Sequence, residues 1–215
     1  QVNIKLNKAL TNNLKFTIEF YNNDTLIKSF TADTSSNSLY SINAEYNSNI
    51  KIIIRNDNYK YNISFEEPTK DSTKTLEYNH LVTSDEINLL TLNVTQLYVI
   101  KFDGNKNTCD TKMSSIYKLH NVDIELPTNP FEREDFVASG WSYSQSSITS
   151  ITTYKENKDR TFYSFWLSKI TFHTGDDEFS ITVNENSKYD LPVEPKKEGY
   201  TFLGWYNGET LACES

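Results

Sequence analysis

Cysteine, histidine, glycine and methionine are all scarce in this chain, and each shortage removes a class of protein. Two cysteines, Cys109 and Cys213, in 215 residues are too few for a disulfide framework or a thiolate zinc site. They allow one bridge, or two free thiols. The three histidines, His80, His120 and His173, lie far apart and show neither metal-ligand spacing nor a nucleophile signature. With 6 glycines there is no glycine-rich phosphate loop. A single methionine and few alanines leave little strong helix-forming material. Basic side chains number 21 against 29 acidic ones, a net charge of −8, with a pI near 5.0. That balance argues against nucleic acid or an anionic membrane as partner, since both demand a basic face. No apolar run approaches the ~20 residues of a membrane span; the runs present, such as Ile50–Ile54, are strand-sized. No signal-peptide pattern is visible, and the chain begins at Gln1 without Met, as a processed or cut start would.

What the chain does have is aromatic and β-branched. Hydrophobic residues make up only 37%, but they include 12 Phe, 14 Tyr and 3 Trp. This mixture favours strands over helices, so the expected fold class is all-β or β-rich. Residues 1–95 read as one antiparallel β-sandwich. Its strand candidates are Asn3–Leu6, Leu14–Phe20, Thr25–Phe30, Ser38–Asn43, Asn49–Arg55, Tyr59–Ser64 and Thr73–Tyr78. Lys15-Phe-Thr-Ile-Glu-Phe20 alternates polar and apolar, as a half-buried strand does. Asn22-Asn-Asp24 and Asn56-Asp-Asn58 are hairpin turn signals. Ser84-Asp-Glu86 could cap one helical turn or lie in a loop. On strand pattern alone, without a sharp motif, this part resembles the transthyretin-like and collagen-adhesin B-type modules of bacterial surface proteins.

The second half repeats itself. Leu126-Pro127-Thr-Asn-Pro130 is followed by Phe136-Val-Ala-Ser-Gly140-Trp141, and Leu191-Pro192-Val-Glu-Pro195 by Gly199-Tyr-Thr-Phe-Leu-Gly204-Trp205-Tyr206. The offset is 65 residues at the first motif and 64 at the Gly-Trp. The prolines fix φ and lack a donor, which makes each a rigid connection rather than a central strand. Gly199 suits a turn with positive φ. Gly204 would let backbone pass close to a large ring. Trp141 and Trp205 are expected as equivalent buried plugs, with an exposed aromatic platform as the alternative. Tyr98-Val-Ile-Lys-Phe102 opens the first copy and Arg160-Thr-Phe-Tyr-Ser-Phe-Trp166 closes it. The second opens with Lys169-Ile-Thr-Phe172, which leaves a linker of a residue or two.

These residues resemble the Listeria–Bacteroides repeat, also called the internalin B-repeat, over residues 97–215. The second copy matches through Ile170-Thr-Phe172, Leu191 to Pro195 and Gly199 to Tyr206. The first is degenerate, with Asp135 where the second copy has Gly199. The resemblance implies a small β-grasp-like module, repeated in tandem in secreted and wall-attached bacterial proteins as stalk or adhesive surface, and brings no catalytic residues. It divides the chain into a sandwich at 1–95, a first repeat at 96–167 and a second at 168–215. The second copy looks incomplete: 25 residues run from Trp141 to Trp166, whereas only 10 follow Trp205. A missing strand would expose a sheet edge. A truncated piece, a longer natural protein, or a strand donated by another subunit, with Asn3–Leu6 as donor, would each account for it.

No chemistry beyond this is indicated. Asp103-Gly-Asn-Lys-Asn107 lacks the carboxylate pattern of a calcium loop and reads as a hairpin turn. Thr174-Gly-Asp-Asp-Glu178 reads as a solvated turn. Glu132-Arg-Glu-Asp135 and Lys196-Lys-Glu198 mark one variable loop in the two copies. An intramolecular Lys–Asn isopeptide bond would need a buried Lys and a buried acid; Lys15 with Glu66 or Glu67 are candidates by position. No cofactor is expected. The favoured reading is a non-catalytic extracellular stalk or adhesin segment of a bacterial cell-surface protein. Its partner would be a host protein, a glycan or itself, with no nucleic acid and no membrane insertion in this segment. The alternatives are a self-assembling filament or sheath subunit, and an accessory carbohydrate-binding region of a larger secreted enzyme.

Overall fold

The structure, a computed structural model, describes residues 1–83, 87–175 and 177–212. The Ser84–Glu86 segment and Cys213 lie outside the described residues. The fold is all-β, and no described residue is helical. In chain order the strands are β1 (Val2–Ala9), β2 (Lys15–Asn22), β3 (Thr25–Asp33), β4 (Tyr40–Ile42), β5 (Asn49–Arg55), β6 (Tyr61–Ser64), β7 (Thr75–Leu81) and β8 (Asn88–Asp103). They continue with β9 (Ile116–Leu119), β10 (Ile124–Glu125), β11 (Phe136–Ser142), β12 (Thr153–Tyr154), β13 (Arg160–Thr174), β14 (Asp177–Asn184), β15 (Tyr206–Asn207) and β16 (Thr210–Leu211). Two compact units result. One holds Gln1–Lys101, Ser114–Glu125 and Thr153–Thr161; the other holds Phe102–Met113, Leu126–Thr152 and Phe162–Ser215.

In the first unit, alternation sets the inward face. Phe16, Ile18 and Phe20 of β2 and Ile50, Ile52 and Ile54 of β5 all point into one core. Strands β3-β2-β5-β7 form an antiparallel sheet. The β2–β3 hairpin turns at Asn23 (φ 49°) and Asp24 (φ 62°). A two-residue I′ turn needs that left-handed pair, and Asn and Asp adopt it at low cost. Val2, Ile4 and Leu6 of β1, Tyr61 and Ile63 of β6, and Leu92 and Val94 of β8 face the same core from a second sheet. Burying each of these large apolar side chains stabilises the fold by about 1.5–3 kcal/mol.

Three expectations for this region are corrected. The sandwich is not wholly antiparallel: β1 runs parallel to β8, Val2 opposite Asn88 through Ala9 opposite Thr95. Between these strands the chain has travelled through the other sheet, and so long a crossover allows a parallel return. The Asn56–Asn58 turn does not close a hairpin, because β5 pairs with β2 and β7 while β6 pairs with β8. It is a corner between sheets. Buried Asn56 holds it by donating from Nδ2 to the carbonyls of Asn58 and Thr73, both at 2.9 Å. Asn3–Leu6 is no free donor strand, since it lies within β1, paired to β4 on one side and β8 on the other.

In the second unit β11 pairs antiparallel with β13, with a bulge between Ala138 and Trp141. Strand β13 also pairs with β14 as a hairpin. The expected linker before Lys169 does not exist. Strand β13 runs unbroken to Thr174, so the strand that closes the first copy opens the second.

Candidate functional site

The two copies of the motif build the same structure. The Trp141 indole N–H donates to the Pro127 carbonyl at 2.6 Å, and the Trp205 N–H donates to the Pro192 carbonyl at 3.0 Å. Each proline turn therefore holds the tryptophan of its own copy, so a large ring is buried with its one donor satisfied. Trp141 is 1% exposed and Trp205 9%. Phe102 (4.6 Å between centroids) and Phe131 (6.1 Å) surround the first. Phe172 (5.0 Å), Phe202 (5.4 Å) and Phe179 (6.0 Å) surround the second. The carbonyl of each tryptophan accepts a later backbone N–H at 2.7 Å, from Ile151 in one copy and Ala212 in the other.

The remaining motif positions carry backbone roles. Gly140 has φ +90° and sits at the bulge of β11. Gly199 has φ +78°, and Asp135 holds the equivalent left-handed position at φ 58° in the first copy. Gly204 combines φ +133° with a tight space: a Cβ there would come within 2.5 Å of Leu211. Apart from its chain neighbours, the side chains nearest to it are Leu211 and Tyr206. Leu126 receives no side-chain role here, but its N–H donates to the Thr152 carbonyl at 2.7 Å. The variable loop hides a shared feature. Arg133 lies 3.5 Å over the Phe136 ring, and Lys197 lies 4.9 Å over the Tyr200 ring, at matching positions.

The copies differ where a partner strand is concerned. In the first, Phe136–Ser142 is a strand because β13 lies beside it. In the second, Tyr200–Trp205 is not a strand. A groove of about 1120 Å³ lies between this segment and Lys169–Thr174, with Phe172, Tyr189, Leu191 and Trp205 on its walls. Val193, Tyr200, Leu203 and Tyr206 are exposed.

Titratable groups are dispersed. His80 Nε2 lies 3.2 Å from Asn88 Oδ1, His120 Nδ1 lies 2.8 Å from the Tyr98 hydroxyl, and His173 pairs with Glu178 at the surface. Among the described residues no three His, Cys, Asp or Glu side chains are grouped to hold a metal ion, and no helix is long and apolar enough to cross a membrane. Cys109 is half-buried. Its thiol pKa is pulled down to about 7 by hydrogen bonds from Thr111, the Glu132 backbone N–H and Asn107. The isopeptide candidates do not qualify, since the Lys15 side chain is 73% exposed and Glu66 and Glu67 are exposed too. The buried lysine is Lys118, 0% exposed, which sequence reasoning missed. Its Nζ donates to the Leu119 carbonyl and to Asn157 Oδ1, both at 3.1 Å, and burial lowers its pKa.

Fold and motif define a tandem aromatic β module, and the comparison with known families names it. The Listeria-Bacteroides repeat domain matches residues 98–164 and 169–214, more than half of the chain, so the protein belongs to this family. Internalin H of Listeria monocytogenes is 30% identical over 123 residues, covering 54% of this chain and 21% of its own length. A protein of Evansella cellulosilytica, provisionally named a membrane protein, is 30% identical over 125 residues, covering 54% of this chain and 18% of its own. The chain thus spans about a fifth of the length of these relatives. One solved structure, a provisionally named polysaccharide-binding protein of Bacteroides thetaiotaomicron, aligns over 87% of this chain and 73% of its own at 8% identity. Its TM-score of 0.30 is too low to carry an argument.

Proposed function

We propose that the chain is a non-catalytic segment of a bacterial surface protein, exposed outside the cell as a stalk or adhesive module. One observation carries this reading: the proline–tryptophan lock is built twice, and a single unbroken strand, β13, lies beside both, at Ser164 for Trp141 and at Phe172 for Trp205. A protein that needs a stiff spacer gains from copies joined without a linker, whereas an enzyme gains nothing from repeating a core plug. Its relatives, an internalin and a protein named for the membrane, support a surface-associated role. In this reading residues 1–95 form the sandwich, 96–167 the first repeat and 168–215 the second. The partner is a host protein, a glycan or another copy.

Antibodies raised against residues 1–215 test the reading on cells of the source organism. Intact, unpermeabilised cells should label. Labelling only after permeabilisation would overturn it. The filament alternative loses the donor first considered for it, because β1 is fixed inside a sheet.

A further inference from the structure

We infer that the second unit carries a binding site for one hydroxylated ring of a glycan. The site is a concave pocket of about 320 Å³, at the lower end of the roughly 300–1,000 Å³ typical of small-ligand sites. Four separate loops and β13 converge on it through Asn105, Arg133, Gln145, Ile148, Trp166 and Glu185. Trp166 forms part of the wall, and its indole N–H is tied to the Asn105 carbonyl at 2.7 Å. Asn105 is itself buried. Its Nδ2 donates to the Gln145 carbonyl at 3.1 Å and the Ser164 carbonyl at 3.0 Å. The wall is therefore fixed before any ligand arrives, which lowers the ordering cost of binding.

The rim is chemically mixed. Arg133 is braced on the Phe136 ring and stands 3.9 Å from a Glu185 oxygen. That separation is long for a charge-assisted hydrogen bond, which closes to about 2.7–2.9 Å. Both heads keep donors and acceptors for a third group. A guanidinium beside a carboxylate, with a side-chain amide from Gln145 nearby, suits neighbouring hydroxyls that each donate and accept. Trp166, 6% exposed, adds only a small aromatic patch for the C–H groups of a sugar ring. The carboxylate disfavours a phosphate or sulfate. The backbone is constrained here as well: Asn105 (φ 45°), Lys106 (φ 69°) and Asn186 (φ 61°) are all left-handed. Asn adopts that region readily but Lys does not, and such strain gathers at ligand sites.

The inference rests on the adhesive half of the proposed function and names its ligand class. The test is an NMR titration of the isotopically labelled chain with the methyl glycosides of mannose, glucose, galactose and N-acetylglucosamine. At least one should give saturable shifts centred on Asn105, Gln145 and Glu185, with a Kd of about 1 mM or tighter. Glu185→Gln and Gln145→Ala alter exposed rim groups, so each should weaken binding by about tenfold without moving the melting temperature. No saturable shift with any of these glycosides, or shifts that survive both substitutions, would overturn the site. Surface labelling without glycoside binding would end this inference and leave the stalk reading standing. Glycoside binding by a segment found inside the cell would do the reverse.

Discussion

At the scale of single residues, the tryptophans do two separable jobs, filling a core and closing a hydrogen bond. Trp205→Phe keeps most of the packing but leaves the Pro192 carbonyl without its donor, an expected loss of about 1 kcal/mol. Trp205→Ala also opens a cavity among Phe172, Phe179 and Phe202 and should cost about 3–5 kcal/mol. Urea unfolding of both variants checks the order; equal stabilities would mean the ring is not packed. Cys109 offers a second measurement. Hydrogen bonds from Thr111, Glu132 and Asn107 favour its thiolate, so its contribution to stability is present above the ordinary thiol range and lost as pH falls through about 7. Iodoacetamide alkylation of the folded chain should accordingly reach half its maximal rate near pH 7. A thiol that reacts only after reduction would instead mark a Cys109–Cys213 bridge. Much at this scale was legible. The tryptophans and prolines stand out by repetition, and repetition at nearly the same offset implies a shared environment. Lys118 was not legible, because a lysine on a short strand reads as solvated and only the fold reveals what covers it.

At the scale of elements, alternation located strands well, and β5 has the bounds the sequence suggests, Asn49–Arg55. Alternation identifies a face but says nothing about a partner's direction, so the parallel β1–β8 pair was not legible. Turn chemistry was equally ambiguous, since Asn56 serves a corner with the same residues that would serve a hairpin. The sequence suggests a linker of a residue or two before Lys169, yet polar residues there are what an outward strand face requires. The sharpest element-level difference is Tyr200–Trp205, which carries the strand motif without being a strand. A synthetic peptide of residues 159–168, the closing strand of the first copy, should therefore bind the groove beside Lys169–Thr174 and protect the amides of Thr201–Trp205 from exchange. A scrambled peptide of the same composition should not. Equal binding of the two would show that the groove reads hydrophobicity rather than strand register.

At the scale of the whole molecule, no isopeptide cross-link is expected among the described residues. Lys118 Nζ lies beside the Asn157 carboxamide, but an amide between them would require a carboxylate to carry the proton. None is hydrogen-bonded to Lys118 among the described residues. Intact-mass spectrometry should return the sequence mass; a value lower by one ammonia would reveal the bond. The architecture as a class, all-β with a repeat in its second half, was legible from the aromatic composition and the duplicated motif. The polar pocket was not, because its walls come from loops remote in sequence and belong to no motif. The continuity of β13 also has a consequence for how such a gene can change. Phe162, Ser164, Trp166 and Phe172 face inward along one strand, while Lys169, Thr171 and His173 face out. Deleting or inserting one codon between Trp166 and Lys169 would turn all later side chains of the strand over, solvating Phe172 and burying Lys169. Changes of an even count at this junction keep each side chain on its face, whereas odd ones exchange the two faces.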